Sequence, residues 1–127
     1  MNLRNLKALG AAILLAVLWG PCRPASQVEW ESIDAAIAMT FPAVETISPD
    51  ELAALMQEKE GWPILLDARA PEEFDVSHLR FARSAPTRKL ALRALGDTAP
   101  DALVVVYCSV GYRSAELAEQ LQEEGFS

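Results

Sequence analysis

Residues 108–114 read Cys-Ser-Val-Gly-Tyr-Arg-Ser, between the apolar run Leu103-Val104-Val105-Val106-Tyr107 and the helix-like stretch 115–124. A buried strand that ends in a cysteine, turns through a short loop and enters a helix aims backbone N–H groups and a helix dipole at one sulfur. A thiol of ordinary pKa near 8.5 is mostly protonated at neutral pH, whereas one at a helix N-terminus beside an arginine is pulled well below that. Cys108 is therefore the candidate thiolate nucleophile. Gly111 supplies the permissive dihedrals of a tight cradle. Arg113 brings a permanent charge with several donors, and Ser109, Val110, Tyr112 and Ser114 complete a wrap of main-chain N–H groups of the kind that holds anions.

The elements that must position this loop follow from the chain on either side of it. Residues 64–68 form a continuous apolar run, 71–76 a short helix opened by Pro71, and 87–95 a helix stopped by Gly96. Before them, Ser48-Pro49-Asp50-Glu51 is a helix start with an N-cap, a first-turn proline and an acid three residues after the cap. That helix is expected to run to about Glu60 and end at Gly61, with 44–47 as the first strand. Strands alternating with helices predict a parallel α/β sheet with helices on both faces. In such sheets functional loops lie at the carboxyl ends of the strands. Cys108 and the Asp67-Ala68-Arg69 segment both fall at such ends, which predicts one shared site.

The segment Cys-x-x-Gly-x-Arg-Ser after an apolar strand resembles the active-site loop of the rhodanese (sulfurtransferase) family. A second stretch resembles the same family independently: Ile64-Leu65-Leu66-Asp67-Ala68-Arg69, then Pro71-Glu72-Glu73-Phe74 and Ser77-His78-Leu79, with 82–86 where the family has Ala-x-Asn-Ile-Pro. The similarity runs over about 44–127. It implies a rhodanese-like fold and a two-step transfer in which Cys108 takes a sulfane sulfur from a donor such as thiosulfate, carries it as a persulfide, and yields it to a thiol or to cyanide. The loop N–H groups would stabilise the persulfide, and no metal or organic cofactor is implied. The implied partners are a small sulfur-containing anion or thiol, with a protein sulfur acceptor as a further possibility. Asp67 and Arg69 are expected to support the site from outside it, and His78 to pack.

The chain also departs from the family. The glycines that relatives carry before His78 and before Ala82 are Ser77 and Phe81, so the backbone there is expected to follow a different path. The position after the nucleophile, often basic in relatives that use thiosulfate, is Ser109. The strand, Gly-Gly turn and closing helix that relatives place after the equivalent of Gly125-Phe126 have no counterpart. This predicts a fold lacking its last strand and helix, with the 103–107 strand open at one edge and a marginal stability. The alternative function is thus a catalytically weak or inactive rhodanese-like binding module of the cell envelope. Phosphatases and arsenate reductases also use a Cys-loop-Arg site, but with five intervening residues rather than the four between Cys108 and Arg113, and the smaller loop suits sulfur better than phosphate.

The amino-terminal region has a separate character. Arg4 and Lys7 precede an apolar run over 8–19 that Gly20-Pro21 breaks, the pattern of an export signal. The run is short of the ~20 residues needed to span a bilayer, so residues 1–27 are expected to be an export signal, or else a membrane anchor, directing the protein to the periplasm or cell envelope. Residues 28–43 then read as a linker with a short amphipathic helix, and 44–127 as the domain. The chain holds 11 basic and 18 acidic residues. Three of the basic ones and none of the acids lie in the first 27 residues, so the remainder is strongly acidic and repels nucleic acid and anionic lipid. Arg80, Arg83, Arg88, Lys89 and Arg93 form a local basic cluster, read as a solvated surface balancing nearby acids, with attraction of an anionic donor or an acidic partner as the alternative. The lone histidine and two cysteines supply neither a metal cluster nor a disulfide framework.

Overall fold

The computed structural model describes residues 26–58 and 61–126. The export signal or anchor read in residues 1–27 lies almost wholly outside the described residues. Within these limits the elements are α1 (Ser26–Thr40), α2 (Pro49–Leu55), β1 (Ile64–Asp67), α3 (Pro71–Val76), β2 (Arg83–Ser84), α4 (Arg88–Leu95), β3 (Val104–Tyr107) and α5 (Tyr112–Glu123). From Glu31 onward the chain forms one compact unit. No helix among the described residues is long and apolar enough to cross a membrane.

The three strands make a parallel sheet in the order β2-β1-β3. β1 pairs with β3 over its full length, Ile64 opposite Val104 and Asp67 opposite Tyr107. The register is fixed by which side chains face the helices. Leu66 on β1 joins Ala91 and Leu95 of α4 and Leu117 and Leu121 of α5 in the main core, with Ile64, Val104 and Val106 packed against it. Leu65 and Val105 alternate to the opposite face and are buried there too. Fully burying one large aliphatic chain contributes about 1.5–3 kcal/mol, so a one-residue slip of this short ladder would forfeit several such terms at once.

Each helix start follows from its capping chemistry. Ser48 and Glu51 form a reciprocal capping box on α2, with Ser48 N–H donating to Glu51 Oε2 at 2.8 Å and Glu51 N–H to Ser48 Oγ at 3.2 Å. Thr87 Oγ1 accepts from Leu90 N at 3.3 Å to open α4. α2 stops at Leu55, earlier than the expected Glu60, because the following amides tighten onto carbonyls three residues back: Gln57 N to Ala54 O and Glu58 N to Leu55 O.

The first strand expected at 44–47 does not form. A strand needs a ladder partner for its N–H and C=O groups, and among the described residues β3 pairs only with β1, leaving its other edge unoccupied. The 44–47 segment is held differently. Val44 N–H donates to Phe41 O, Gln122 Nε2 donates to Ala43 O at 3.2 Å, and Val44 packs on a small cluster of Ile37, Phe41 and Ala115. The same cluster docks α1: the helix foreseen in the linker lies with its Ile33 and Ile37 against the start of α5.

Part of the basic cluster is engaged within the fold, Arg80 lying over the Phe81 ring. Arg88 pairs with Glu123 and Glu124 at the end of α5, and Arg83 donates to the Ala94 carbonyl.

Candidate active site

Cys108 follows β3 directly, and its sulfur lies at the mouth of α5. Gly111, at φ 104°, is the N-cap of that helix. This left-handed dihedral favours glycine, and it brings the Gly111 N–H to 3.0 Å from Cys108 Sγ. A second constraint acts on the same residue, since a Cβ at Gly111 would meet Ile37 Cδ1 of α1 at 3.0 Å. Ser114, buried in the first turn of α5, places its Oγ 3.6 Å from Cys108 Sγ and donates to Gly111 O at 2.9 Å. Burial pushes the Cys108 thiol up, but the Ser114 hydroxyl and the backbone N–H groups of Val110, Ser114 and Gly111 outweigh it, so its pKa is below that of an ordinary thiol.

Arg113 acts on the Cys108 sulfur, but its stronger partner is a carboxylate. Its guanidinium forks onto Glu73 of α3, Nη1 to Oε2 at 2.8 Å and Nη2 to Oε1 at 3.1 Å. Ser109 Oγ donates to Glu73 Oε1 at 3.2 Å, and Arg113 Nη2 reaches Ser109 Oγ at 3.4 Å. Glu73 Oε2 also accepts from Ala70 N at 3.0 Å, closing the start of α3. One carboxylate thus ties the loop to a neighbouring helix. Hydrogen bonds from Arg113 above all, then from Ala70 N–H, lower the Glu73 pKa to about 2.

Asp67 and Arg69 form the second support. Asp67 is fully buried. Arg69 grips it through Nε at 3.0 and 3.1 Å and Nη2 at 2.7 Å, and the Arg69 amide donates to the same carboxylate at 2.9 Å. Burial raises the Asp67 pKa, but these bonds and one from Tyr107 overcome it, leaving the group below the usual carboxylate range. Arg69 Nη2 continues to Ser77 O at 2.6 Å, while Tyr107 Oη accepts from Leu79 N at 3.1 Å. The ends of β1 and β3 are thereby joined to the segment after α3.

That segment forms the wall facing the sulfur. Arg69, Ser77, His78, Leu79, Tyr107, Cys108 and Ser109 line an open pocket of about 290 Å³. The His78 ring stacks on Phe74 at 3.8 Å with 4° between planes, and its Nδ1 lies 2.9 Å from Phe74 O. The packing expected of His78 is present, and the residue also borders the pocket. At the two positions where a glycine was expected, the backbone behaves differently. Ser77 is extended at φ −166°, a conformation open to any residue. Phe81 sits at φ 69°, in the region that favours glycine, with its ring 5.3 Å from Trp62 and the Arg80 guanidinium 4.6 Å above it.

Loop residues 108–114 and the Asp67–Arg69 pair are therefore brought to one end of the sheet. Three contributors were not singled out from sequence: Glu73, Tyr107 and Ile37. Glu73 was visible as the second acid of Pro71-Glu72-Glu73-Phe74, but its partner lies 40 residues away. Among the described residues no group of His, Cys, Asp and Glu is placed to hold a metal ion.

A parallel α/β sheet here delivers one cysteine from a strand end into an N–H cradle at a helix start, an arrangement that favours the thiolate. Residues 48–127 match the rhodanese-like domain family, and the chain belongs to that family. It is similar to the probable adenylyltransferase/sulfurtransferase MoeZ of Mycobacterium tuberculosis, strains CDC 1551 / Oshkosh and ATCC 25618 / H37Rv. Each is 32% identical over 83 residues, which cover 65% of this chain and 21% of the relative. The chain thus spans about a fifth of the length of these curated relatives. No solved structure gives a significant match.

Proposed function

We propose that this domain transfers a sulfane sulfur through a persulfide on Cys108. The observation that carries the reading is the Cys108 sulfur held 3.0 Å from the Gly111 N–H at the start of a 12-residue helix. Membership of the rhodanese-like family and similarity to proteins named sulfurtransferases support it. In the first half-reaction the Cys108 thiolate attacks the outer sulfur of the donor, and the donor's S–S bond breaks with its electron pair leaving on sulfite or on a thiolate. In the second, an acceptor thiolate or cyanide attacks the sulfur now carried, and Cys108 returns as thiolate. The loop N–H groups stabilise the anionic persulfide between the two steps, because they are fixed before the charge arrives. Arg113 holds the loop in this shape through Glu73.

Mass spectrometry of the protein after incubation with thiosulfate, or with an organic persulfide, tests the reading. One added sulfur atom on Cys108, absent from Cys108→Ser, is expected. If no donor loads Cys108, the domain acts as a binding module without turnover.

We also propose export to the periplasm or cell envelope, on the strength of Arg4, Lys7 and the apolar run over 8–19. Fractionation of cells expressing the full chain tests this, and recovery in the soluble cytoplasmic fraction would overturn it.

A further inference from the structure

The positive charge around the sulfur is already spoken for. Arg113 is held by Glu73 through both terminal nitrogens, and Arg69 by the buried Asp67. Among the described residues lining the pocket, the remaining basic side chain is His78. Ser109 stands where a basic residue would add charge, and it too donates to Glu73. A dianion entering this pocket finds cations whose fields are partly offset by carboxylates a few ångströms away, although Arg113 still acts on the sulfur. The pocket has a volume of about 290 Å³, bordered by Leu79, Tyr107 and the His78 ring, so there is room for a carbon skeleton behind the transferred sulfur.

We infer that Glu73 is a specificity-determining residue of this loop, and that the donor it admits is a thiol-bound persulfide of low net charge rather than the thiosulfate dianion. The inference rests on the sulfur-transfer reading and names its substrate class. The step balances without an outside oxidant or reductant. Cys108–S⁻ attacks the outer sulfur of R–S–SH, the S–S bond breaks, and R–S⁻ departs with the electron pair. The proton of the new Cys108–S–SH then passes to that thiolate or to water.

The test uses the full chain and measures the rate at which Cys108 gains sulfur from thiosulfate and from cysteamine persulfide, which carries no net negative charge whether its persulfide is protonated or ionised. Wild type should load the persulfide at least about tenfold faster. Glu73→Gln keeps one of the two acceptor oxygens, which can still take the Ala70 N–H, but removes the negative charge, and should shift the ratio on the order of tenfold toward thiosulfate. The shift should shrink in high salt, which a purely structural effect would not do. Ser109→Lys exchanges the Ser109–Glu73 hydrogen bond for a cation beside that carboxylate while leaving the Glu73–Ala70 bond that opens α3, and should move the ratio the same way, so it decides the matter if Glu73→Gln does not fold. Equal wild-type rates, or an unchanged ratio in folded variants, overturn the inference while leaving sulfur transfer intact. Loading from neither donor overturns both.

Discussion

The Gly111 N–H donates to Cys108 Sγ across 3.0 Å, and the φ of 104° that turns it there also starts α5. Helix initiation and thiolate stabilisation are therefore one geometric event. Ser114 adds a movable element. As a thiol Cys108 donates toward Ser114 Oγ, whose own hydrogen goes to Gly111 O at 2.9 Å. Once the thiol ionises, that hydrogen can turn to the sulfur instead. Ser114→Ala removes this donor, so the Cys108 pKa should rise toward the ordinary thiol range. The rate of iodoacetamide alkylation against pH reports it: the midpoint should move up relative to wild type. An unmoved midpoint would mean that the backbone N–H groups alone hold the thiolate.

Gly111→Ala meets two separate penalties. The left-handed backbone costs about 1–2 kcal/mol for a residue with a Cβ, and that Cβ meets Ile37 Cδ1 at 3.0 Å. A fall in Tm of several degrees is expected for a domain of this size. Pairing it with Ile37→Ala separates the terms, because shortening Ile37 removes the clash and leaves the dihedral cost. The double variant should lose less than the two single losses added together. Additive losses would show that α1 does not press on the loop.

Much of this arrangement was legible because it is local. The Cys108–Ser114 loop, the cap at Ser48, and the strands around Leu66 and Val105 all depend on neighbours in sequence or on continuous apolar runs. What was not legible depends on distant partners. The 44–47 segment has strand-like residues, yet a strand exists only if another backbone lies beside it, and none does among the described residues. Glu73 looked like one more acid of a short helix until the fold brought Arg113 to it. Phe81 carried a visible signal, since a glycine was expected there. The expected change of path is instead a bulky residue held in glycine's conformation.

That conformation makes Phe81 a measurable strain point. The residue is 56% exposed, but its ring contacts Trp62 and lies under Arg80. Phe81→Ala discards the ring contacts and keeps the left-handed cost, whereas Phe81→Gly discards both. Phe81→Gly should therefore be more stable than Phe81→Ala by about 1 kcal/mol in urea melts. The reverse order would mean that the turn relaxes when the ring is removed.

Asp67 bears a heavier load. It is fully buried and accepts from Arg69 side chain and backbone at once. Asp67→Ala leaves the Arg69 guanidinium without its carboxylate at the end of β1; because that cation is 17% exposed and keeps Ser77 O, the cost lies below the ~3–5 kcal/mol of a fully buried pair. Against a total of roughly 5–15 kcal/mol for a typical domain, the variant should be clearly destabilised, and its near-ultraviolet circular dichroism should show lost packing. A native-like melt would assign Asp67 a smaller part in joining β1 to the segment after α3.

The Glu73–Arg113 pair predicts how the domain responds to acid. The folded pKa of Glu73 is depressed to about 2, against about 4.3 in an unfolded chain. A group depressed in the folded state stabilises it above the unfolded pKa, and loses that contribution as pH falls through the folded one. Stability should thus be insensitive to Glu73 from neutrality to about pH 5 and decline between about 4.3 and 2, with Asp67, also lowered, acting in the same direction. Glu73→Gln has no proton to take up, so its Tm should fall less steeply over that window while starting lower at pH 7. Thermal melts at half-unit pH intervals distinguish the cases. Parallel curves for wild type and Glu73→Gln would mean that Glu73 is not engaged with Arg113 in solution, and that the loop is held by its own backbone.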